Sequence, residues 1–389
     1  MKRHFCFFNL LYASLSTYFR QLNLQQVSNL NPAMRLPAKR IAYIIASLVA
    51  ISLYSLNKLE RRLAQKKSAH LELPPEFTHL VDLEEYFRDD FDKTRASVSP
   101  LYWHIAKAAG TTVHSFYSHC YRLIEASEIG GFASSDKLEI VEKNRVKNHL
   151  NVDVSTLEGI YHARDVGLAE SRLADIIVSP LFYASTKEIF SEDHRGVVFS
   201  MFRHPIKRIL SLFYYLQHST WEMTYNPIFA NMTLEEYSSS DFAESNYITR
   251  SLVNKMEGPL IPDDFELAKE VLMRKVLVGL VDEFENSISF FNEVFGFRPN
   301  FDAEVVGEES ASEEDKKVHI DQCLEDLRTG KGAGSNRNKH EDVREDSAAY
   351  KMLALKNGYD LQLWDLIVEK YKEQQLVFKG SMDRETTSL

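Results

Sequence analysis

Four short and almost uninterrupted apolar runs, each followed by a helical pattern, constrain this 389-residue chain more than any other feature. They read "LYWHI" at 101–105, "ADIIVSPLF" at 174–182, "GVVFSMF" at 196–202 and "KVLVGL" at 275–280. A strand that is apolar on both sides needs cover on both sides. Parallel sheets with crossover helices provide that cover, so the pattern predicts an α/β domain with helices on both faces. After the third run, Ile206, Ile209, Leu210 and Phe213 fall at the i, i+3, i+4, i+7 spacing of a helix lying on such a sheet. Pro205 stands in its first turn, where a missing N–H costs nothing. This body is expected over residues 99–376, with 377–389 as a tail.

Charge divides the chain unevenly. Residues 1–59 hold no acidic residue and seven basic ones, so the remainder carries 39 basic and 56 acidic residues. So acidic a body is unsuited to general phosphate contacts, which argues against nucleic acid as a partner. Any anion site must be a local concentration of positive charge. The uncharged stretch "IAYIIASLVAISLYSL" at 41–56 follows a basic segment, 1–40, and is read as a membrane anchor, short for a bilayer span but suited to thin early secretory membranes. Residues 57–98 then read as a charged stem. Basic residues flank the anchor on both sides, and their balance opposes, if anything, a lumenal body. The apolar stretch at 5–19 resembles a signal-peptide core, and an acid-free N-terminus also fits an organellar presequence.

The three cysteines, Cys6, Cys120 and Cys323, show no metal-ligand spacing; each is read as a free buried thiol, and only Cys120 and Cys323 could pair within the body. "NMT" at 231–233 has the form of a glycosylation sequon, but with Glu236 three residues beyond Thr233 it reads as a helix start. The stretch 302–317 is acidic and serine-rich, 329–342 is a glycine-rich basic loop, and the C-terminal part reads as one or two helices broken at Asn357-Gly358.

Chemistry concentrates in two places. The first is "KAAGTT", 107–112, between the first strand and its helix. Gly110 permits a tight turn, Ala108 and Ala109 keep the loop narrow, and Thr111 and Thr112 offer hydroxyl donors. Lys107 adds a point charge. N–H groups at the start of a helix favour an anion. In the Walker loop the lysine follows the glycine; here it precedes it. The second place is "FRHPIKRILSLF", 202–213, where Arg203 ends a strand and Ser211 lies two turns into the helix. Arginine can grip a phosphate at two points. Lys207 and Arg208 are read as solvated helix residues. Two separate anion-holding groups imply a ligand with phosphate-like groups at two ends.

Lys-x-x-Gly-Thr-Thr after a strand, then strand–Arg-x-Pro–helix–Ser about a hundred residues on, resembles the membrane-bound sulfotransferases. The similarity is greatest to the heparan sulfate 2-O- and 6-O-sulfotransferase branch and its algal and bacterial relatives, over roughly residues 100–300. The resemblance implies a P-loop-like parallel β-sheet flanked by helices on both faces, forming a single catalytic domain. It also implies 3′-phosphoadenylyl sulfate (PAPS) as co-substrate, no metal, a carbohydrate acceptor and a Golgi membrane enzyme with a lumenal body. Lys107, Ala109, Gly110, Thr111 and Thr112 would hold the 5′-phosphosulfate, and Arg203 and Ser211 the 3′-phosphate. "SNYITRSL", 245–252, is similar to a segment near the nucleotide, which brings in Asn246 and Arg250. The loop at 329–340, with Lys331 and Lys339, would close over the co-substrate.

Two positions depart from that pattern. His204 stands where the family has aspartate between arginine and proline. The family's Gly-His pair, which supplies the catalytic base, falls by spacing on Ser179 and Pro180. His162 is the substitute named here, with Glu170 and Asp175 as acidic alternatives; His104 and His114, which flank the loop, are read as packing residues. Sulfuryl transfer needs charge stabilisation at the leaving phosphate, a task for Lys107, and a base for the acceptor hydroxyl. The competing readings are a P-loop kinase-like phosphotransferase and a membrane-anchored nucleotide or glycan binder without catalysis.

Overall fold

The protein is described by a computed structural model over residues 71–88, 91, 98–131, 137–143, 146–222, 225–300, 312–329 and 343–386. The segment 1–40, the anchor at 41–56 and the loop with Lys331 and Lys339 lie outside the described residues. No helix of the described residues is long and apolar enough to cross a membrane.

Seven strands form one sheet: β1 Val98–Trp103, β2 Glu125–Ala126, β3 Ile140–Lys143, β4 Val146–Leu150, β5 Ile176–Ser179, β6 Arg195–Phe202 and β7 Val276–Leu280. Their order is β3-β4-β2-β5-β1-β6-β7. Every pairing is parallel except the β3–β4 hairpin at one edge. All residues of β1, β5 and β7 are buried, as their apolar runs require. The two-residue alternation of a strand sends Leu101, Trp103, Val198 and Val278 to one face, and Tyr102, Val178, Phe199 and Leu277 to the other.

The helices that cover the sheet are α1 Gly110–Ser115, α2 Leu157–Asp165, α3 Phe182–Glu188, α4 Pro205–Leu216, α5 Tyr247–Leu252, α6 Pro262–Lys275, α7 Phe284–Phe295, α8 Glu313–Thr329, α9 Ala348–Lys356 and α10 Gly358–Thr386. The α9–α10 break falls at Asn357, where the sequence placed it. α10 is fastened to α6 by Lys370, whose ammonium donates to the carbonyls of Leu272, Met273 and Val276 at 2.7, 2.8 and 2.6 Å. Those carbonyls lie at the end of α6, where the helix itself supplies few N–H partners.

Three expectations change. The stem does not run to residue 98: Val81 donates its N–H to Gly196 O, and Gly196 donates to His79 O, both at 2.9 Å, beside the amino end of β6. Phe77, Leu80, Val81 and Tyr86 are buried there, so the body starts by Leu71. The tail too is helical as far as Thr386.

The third change concerns the thiols. Cys120 and Cys323 form a disulfide. The turn after α1 (Phe116–Cys120) packs against α8, which brings together residues 203 positions apart. Loop-closure entropy puts the stabilisation by so long a bridge near the upper end of the usual range, about 5 kcal/mol. At 231–233 the helix-start reading holds. Thr233 Oγ1 accepts from Glu236 N at 3.2 Å, and Glu236 accepts from Thr233 N at 2.8 Å.

Candidate anion-binding site

The sheet order fixes where a ligand can enter. From β1 the chain passes through the loop 104–109 and α1 to β2, on the β5 side; from β6 it goes to β7, on the opposite side. Neighbouring parallel strands whose connections diverge leave a crevice at their carboxyl ends. Lys107 follows the end of β1, and Arg203 follows β6 by one residue. The two sequence-predicted cations therefore share one crevice. Arg203 Nη1 donates to Lys107 O at 3.4 Å.

The loop bends in an unexpected way. Its left-handed residues are Lys107 (φ 65°) and Ala109 (φ 62°), not Gly110. Left-handed backbone at a residue with a Cβ costs on the order of 1–3 kcal/mol and persists only where the surroundings impose it. Arg203 on Lys107 O and Arg208 Nη1 on Ala106 O, at 3.5 Å, supply part of that restraint. Gly110 is required for another reason. A Cβ there would lie 1.9 Å from His104 Cδ2 and 2.1 Å from His104 Nε2, so the imidazole occupies the space of the missing side chain.

Arg208 is not solvated. It is 1% exposed, pairs with Glu244, and lies 4.8 Å over the Tyr247 ring. Burial works against its charge, but the carboxylates of Glu244 and Asp360 outweigh it and raise its pKa. Lys207, one residue away, is exposed as expected. Ser211 lies one turn after Arg208 and Tyr215 one turn further, so the three share the face of α4 turned toward the loop, and Ser211 is buried.

Lys107 Nζ sits 3.8 Å above the centre of the Tyr215 ring. Burial and the neighbouring Arg203 charge push its pKa down to about 8, with Glu222 acting in the opposite sense. Glu222 in turn accepts a hydrogen bond from Tyr215 Oη. Two cations close enough for one to depress the other concentrate positive charge at this crevice. Thr111 is exposed and Thr112 half-buried, both in the first turn of α1. Trp221, 73% exposed, meets Tyr215 edge-on at 6.3 Å.

Asn246 and Arg250, expected near a nucleotide, both bond the protein's own backbone. Asn246, left-handed at φ 52°, donates through Nδ2 to Lys356 O at 2.9 Å and accepts from the N–H groups of Tyr359 and Asp360 at 2.9 and 3.1 Å. Arg250 donates to Ser245 O and Lys255 O at 2.8 and 2.9 Å. Asp360 accepts from Ile248 N, Thr249 N and Thr249 Oγ1, at 3.0, 2.8 and 2.8 Å. Together with Arg208 this polar knot ties the α9–α10 junction and α5 to the wall of the crevice. Glu244, Asp360 and Tyr215 are the site's supports that sequence reasoning missed.

The described contacts do not bring His162 to the loop. It is half-buried on α2, two residues before Arg164, which pairs with Glu188 at the last turn of α3. Asp175 immediately precedes β5 and accepts from Ile124 N at 2.8 Å, which puts it at the amino edge, about 13 Å of strand from the crevice. Glu170 accepts from Ser191 Oγ at 3.2 Å. Ser179 is structural: its hydroxyl donates to Val154 O at 2.7 Å and lies 2.8 Å from Ser185 Oγ. His204 packs edge-on to Trp364. His114 is not apolar packing but the partner of a buried acid, with Nδ1 2.7 Å from Glu125 Oε2. Burial lowers the His114 pKa, and Glu125 more than offsets it, leaving it raised. No protein-family model matches the chain, and no curated protein matches it.

Proposed function

We propose that this chain is a PAPS-dependent sulfotransferase that moves a sulfuryl group to a hydroxyl of a carbohydrate acceptor. The observation that carries the reading is the meeting of Lys107 and Arg203 at the β1–β6 crevice, with Ser211 on the adjoining face of α4. In this reading the Lys107 ammonium neutralises the charge that develops on the leaving 5′-phosphate, where a fixed donor gives its largest return. Thr111 and Thr112 add hydroxyl donors to the sulfuryl end. Arg203 and Ser211 receive the 3′-phosphate. Asn246 and Arg250 act on the nucleotide only through the backbone they brace.

The Cys120–Cys323 bridge supports a body that matures in an oxidising compartment, in keeping with a Golgi lumen reached through a type II anchor at 41–56. The decisive experiment is transfer of labelled sulfate from PAPS to a desulfated glycosaminoglycan panel. Lys107→Ala and Arg203→Ala are expected to lose at least about 100-fold in rate. Normal transfer by both variants refutes the site. Tight binding of ATP–Mg²⁺ without binding of 3′,5′-ADP favours the kinase-like alternative instead.

A further inference from the structure

Resting on the sulfotransferase reading, we infer that Glu222 is the general base for the acceptor hydroxyl and that Tyr215 positions it. Three observations meet here. Tyr215 Oη donates a hydrogen bond to Glu222 Oε1. The ring of that tyrosine carries Lys107 Nζ 3.8 Å above its centre. Glu222 is the carboxylate whose charge acts directly on Lys107. A single phenol ring thus spans the distance between the ammonium that would face the leaving oxygen and a carboxylate beyond it.

In-line transfer needs a base set apart from the group that faces the leaving oxygen. The acceptor oxygen must approach sulfur to about 3–3.5 Å from the side opposite the leaving oxygen. The base must stand a further 2.6–3.2 Å or so from the acceptor hydroxyl. Lys107 and the base therefore belong on either side of the reacting sulfur, separated by several ångströms and not in contact. Asp175 and Glu170 lie elsewhere, on Ile124 N and Ser191 Oγ, and the described contacts do not bring His162 to the loop. Glu222 has its N–H bonded to Ser219 O at 3.0 Å, which fixes the chain just past α4, while Tyr215 fixes Oε1. Oε2 is then the oxygen that receives the proton.

The step balances without a further reactant. The acceptor oxygen forms a bond to sulfur as the bond from sulfur to the bridging phosphate oxygen breaks. The electron pair of the broken bond stays with the phosphate, beside Lys107. The acceptor proton passes to Glu222 Oε2. A loose transition state asks for little activation of the nucleophile and places proton removal late, so a carboxylate is basic enough.

The test compares wild type, Glu222→Gln, Glu222→Asp and Tyr215→Phe, as full-length chains. Two readouts are used: calorimetric binding of 3′,5′-ADP, and sulfate transfer from PAPS to desulfated heparin across a range of pH. Glu222→Gln should bind 3′,5′-ADP within about twofold of wild type yet lose about 100-fold in kcat and the acid limb of its pH profile. Glu222→Asp should recover part of the rate, and Tyr215→Phe should lower kcat with the acid limb retained. A Glu222→Gln enzyme with wild-type rate and pH profile overturns this inference and leaves the sulfotransferase reading standing. Wild type that binds no 3′,5′-ADP, or binds it without transferring sulfate, overturns the reading and the base together.

Discussion

Replacing Arg208 by methionine should unfold this protein far more readily than replacing Lys207, its neighbour in sequence. Arg208 is 1% exposed and touches four partners: the Glu244 carboxylate, Ala106 O, the Tyr247 ring and, through its charge, the buried Asp360. Methionine refills most of the volume but leaves two acids without their cation. Removing one member of a buried pair typically costs 3–5 kcal/mol. Glu244 keeps a side-chain exposure of 26% and can turn to water, which argues for the lower figure. Asp360 cannot: it is 2% exposed, and burial already raises its pKa, with the Arg208 charge acting against that rise. The expected cost is about 3 kcal/mol by urea denaturation, or roughly 6 °C in Tm at about 2 °C per kcal/mol for a domain of this size. Lys207→Met, on the exposed side of α4, should stay within about 0.5 kcal/mol. If Arg208→Met costs under about 1 kcal/mol, or matches Lys207→Met, the reading of Arg208 as the tie between α4, α5 and the loop is wrong.

Three further outcomes are expected. Gly110→Ala should destabilise by about 1–3 kcal/mol through its collision with His104, and most of that loss should vanish in His104→Ala/Gly110→Ala; a double-mutant cycle with no coupling would refute the close approach. Because Lys107 titrates near 8 and anions need its protonated form, affinity for 3′,5′-ADP should be highest below pH 8 and fall as pH rises through it, by up to about tenfold per unit. Calorimetry across pH 6.5–9.5 reads this, and Lys107→Met should flatten the curve. Under native conditions without reductant, alkylation should label neither Cys120 nor Cys323, and Cys120→Ser/Cys323→Ser should lower stability by up to about 5 kcal/mol in denaturant titration.

The apolar strands could be read from the sequence because burial on two faces leaves no room for polar residues, and composition records that directly. β2 could not: two residues long, it holds its place through pairing with β4 and β5 rather than through any pattern of its own. The hairpin β3–β4 is an edge with charged residues, so its short apolar signal is diluted. In the loop, Lys107 and Gly110 were legible as residue types, but the purpose of the glycine was not, since His104 lies six positions away and reaches it only through the turn. Lys207 and Arg208 carry the same charge, and a rotation of about 100° on α4 separates water from the core. Ser211 and Tyr215, at i+3 and i+7 from Arg208, were the available hint. Asn246 and Arg250 were found by similarity; Arg250 bonds carbonyls only five residues away, but the partners of Asn246 on the α9–α10 junction lie over a hundred residues away and leave no local trace. No spacing rule connects Cys120 to Cys323.

The bridge between those two cysteines also sets an order of events during synthesis. Ribosomes add about 5–20 residues per second, so Cys120 leaves the exit tunnel roughly 10–40 seconds before Cys323 follows to meet it. Throughout that interval the helix behind the anion loop carries a lone thiol, and any chain released before residue 323 keeps it. Completion of the bridge therefore certifies that the C-terminal part of the body has arrived.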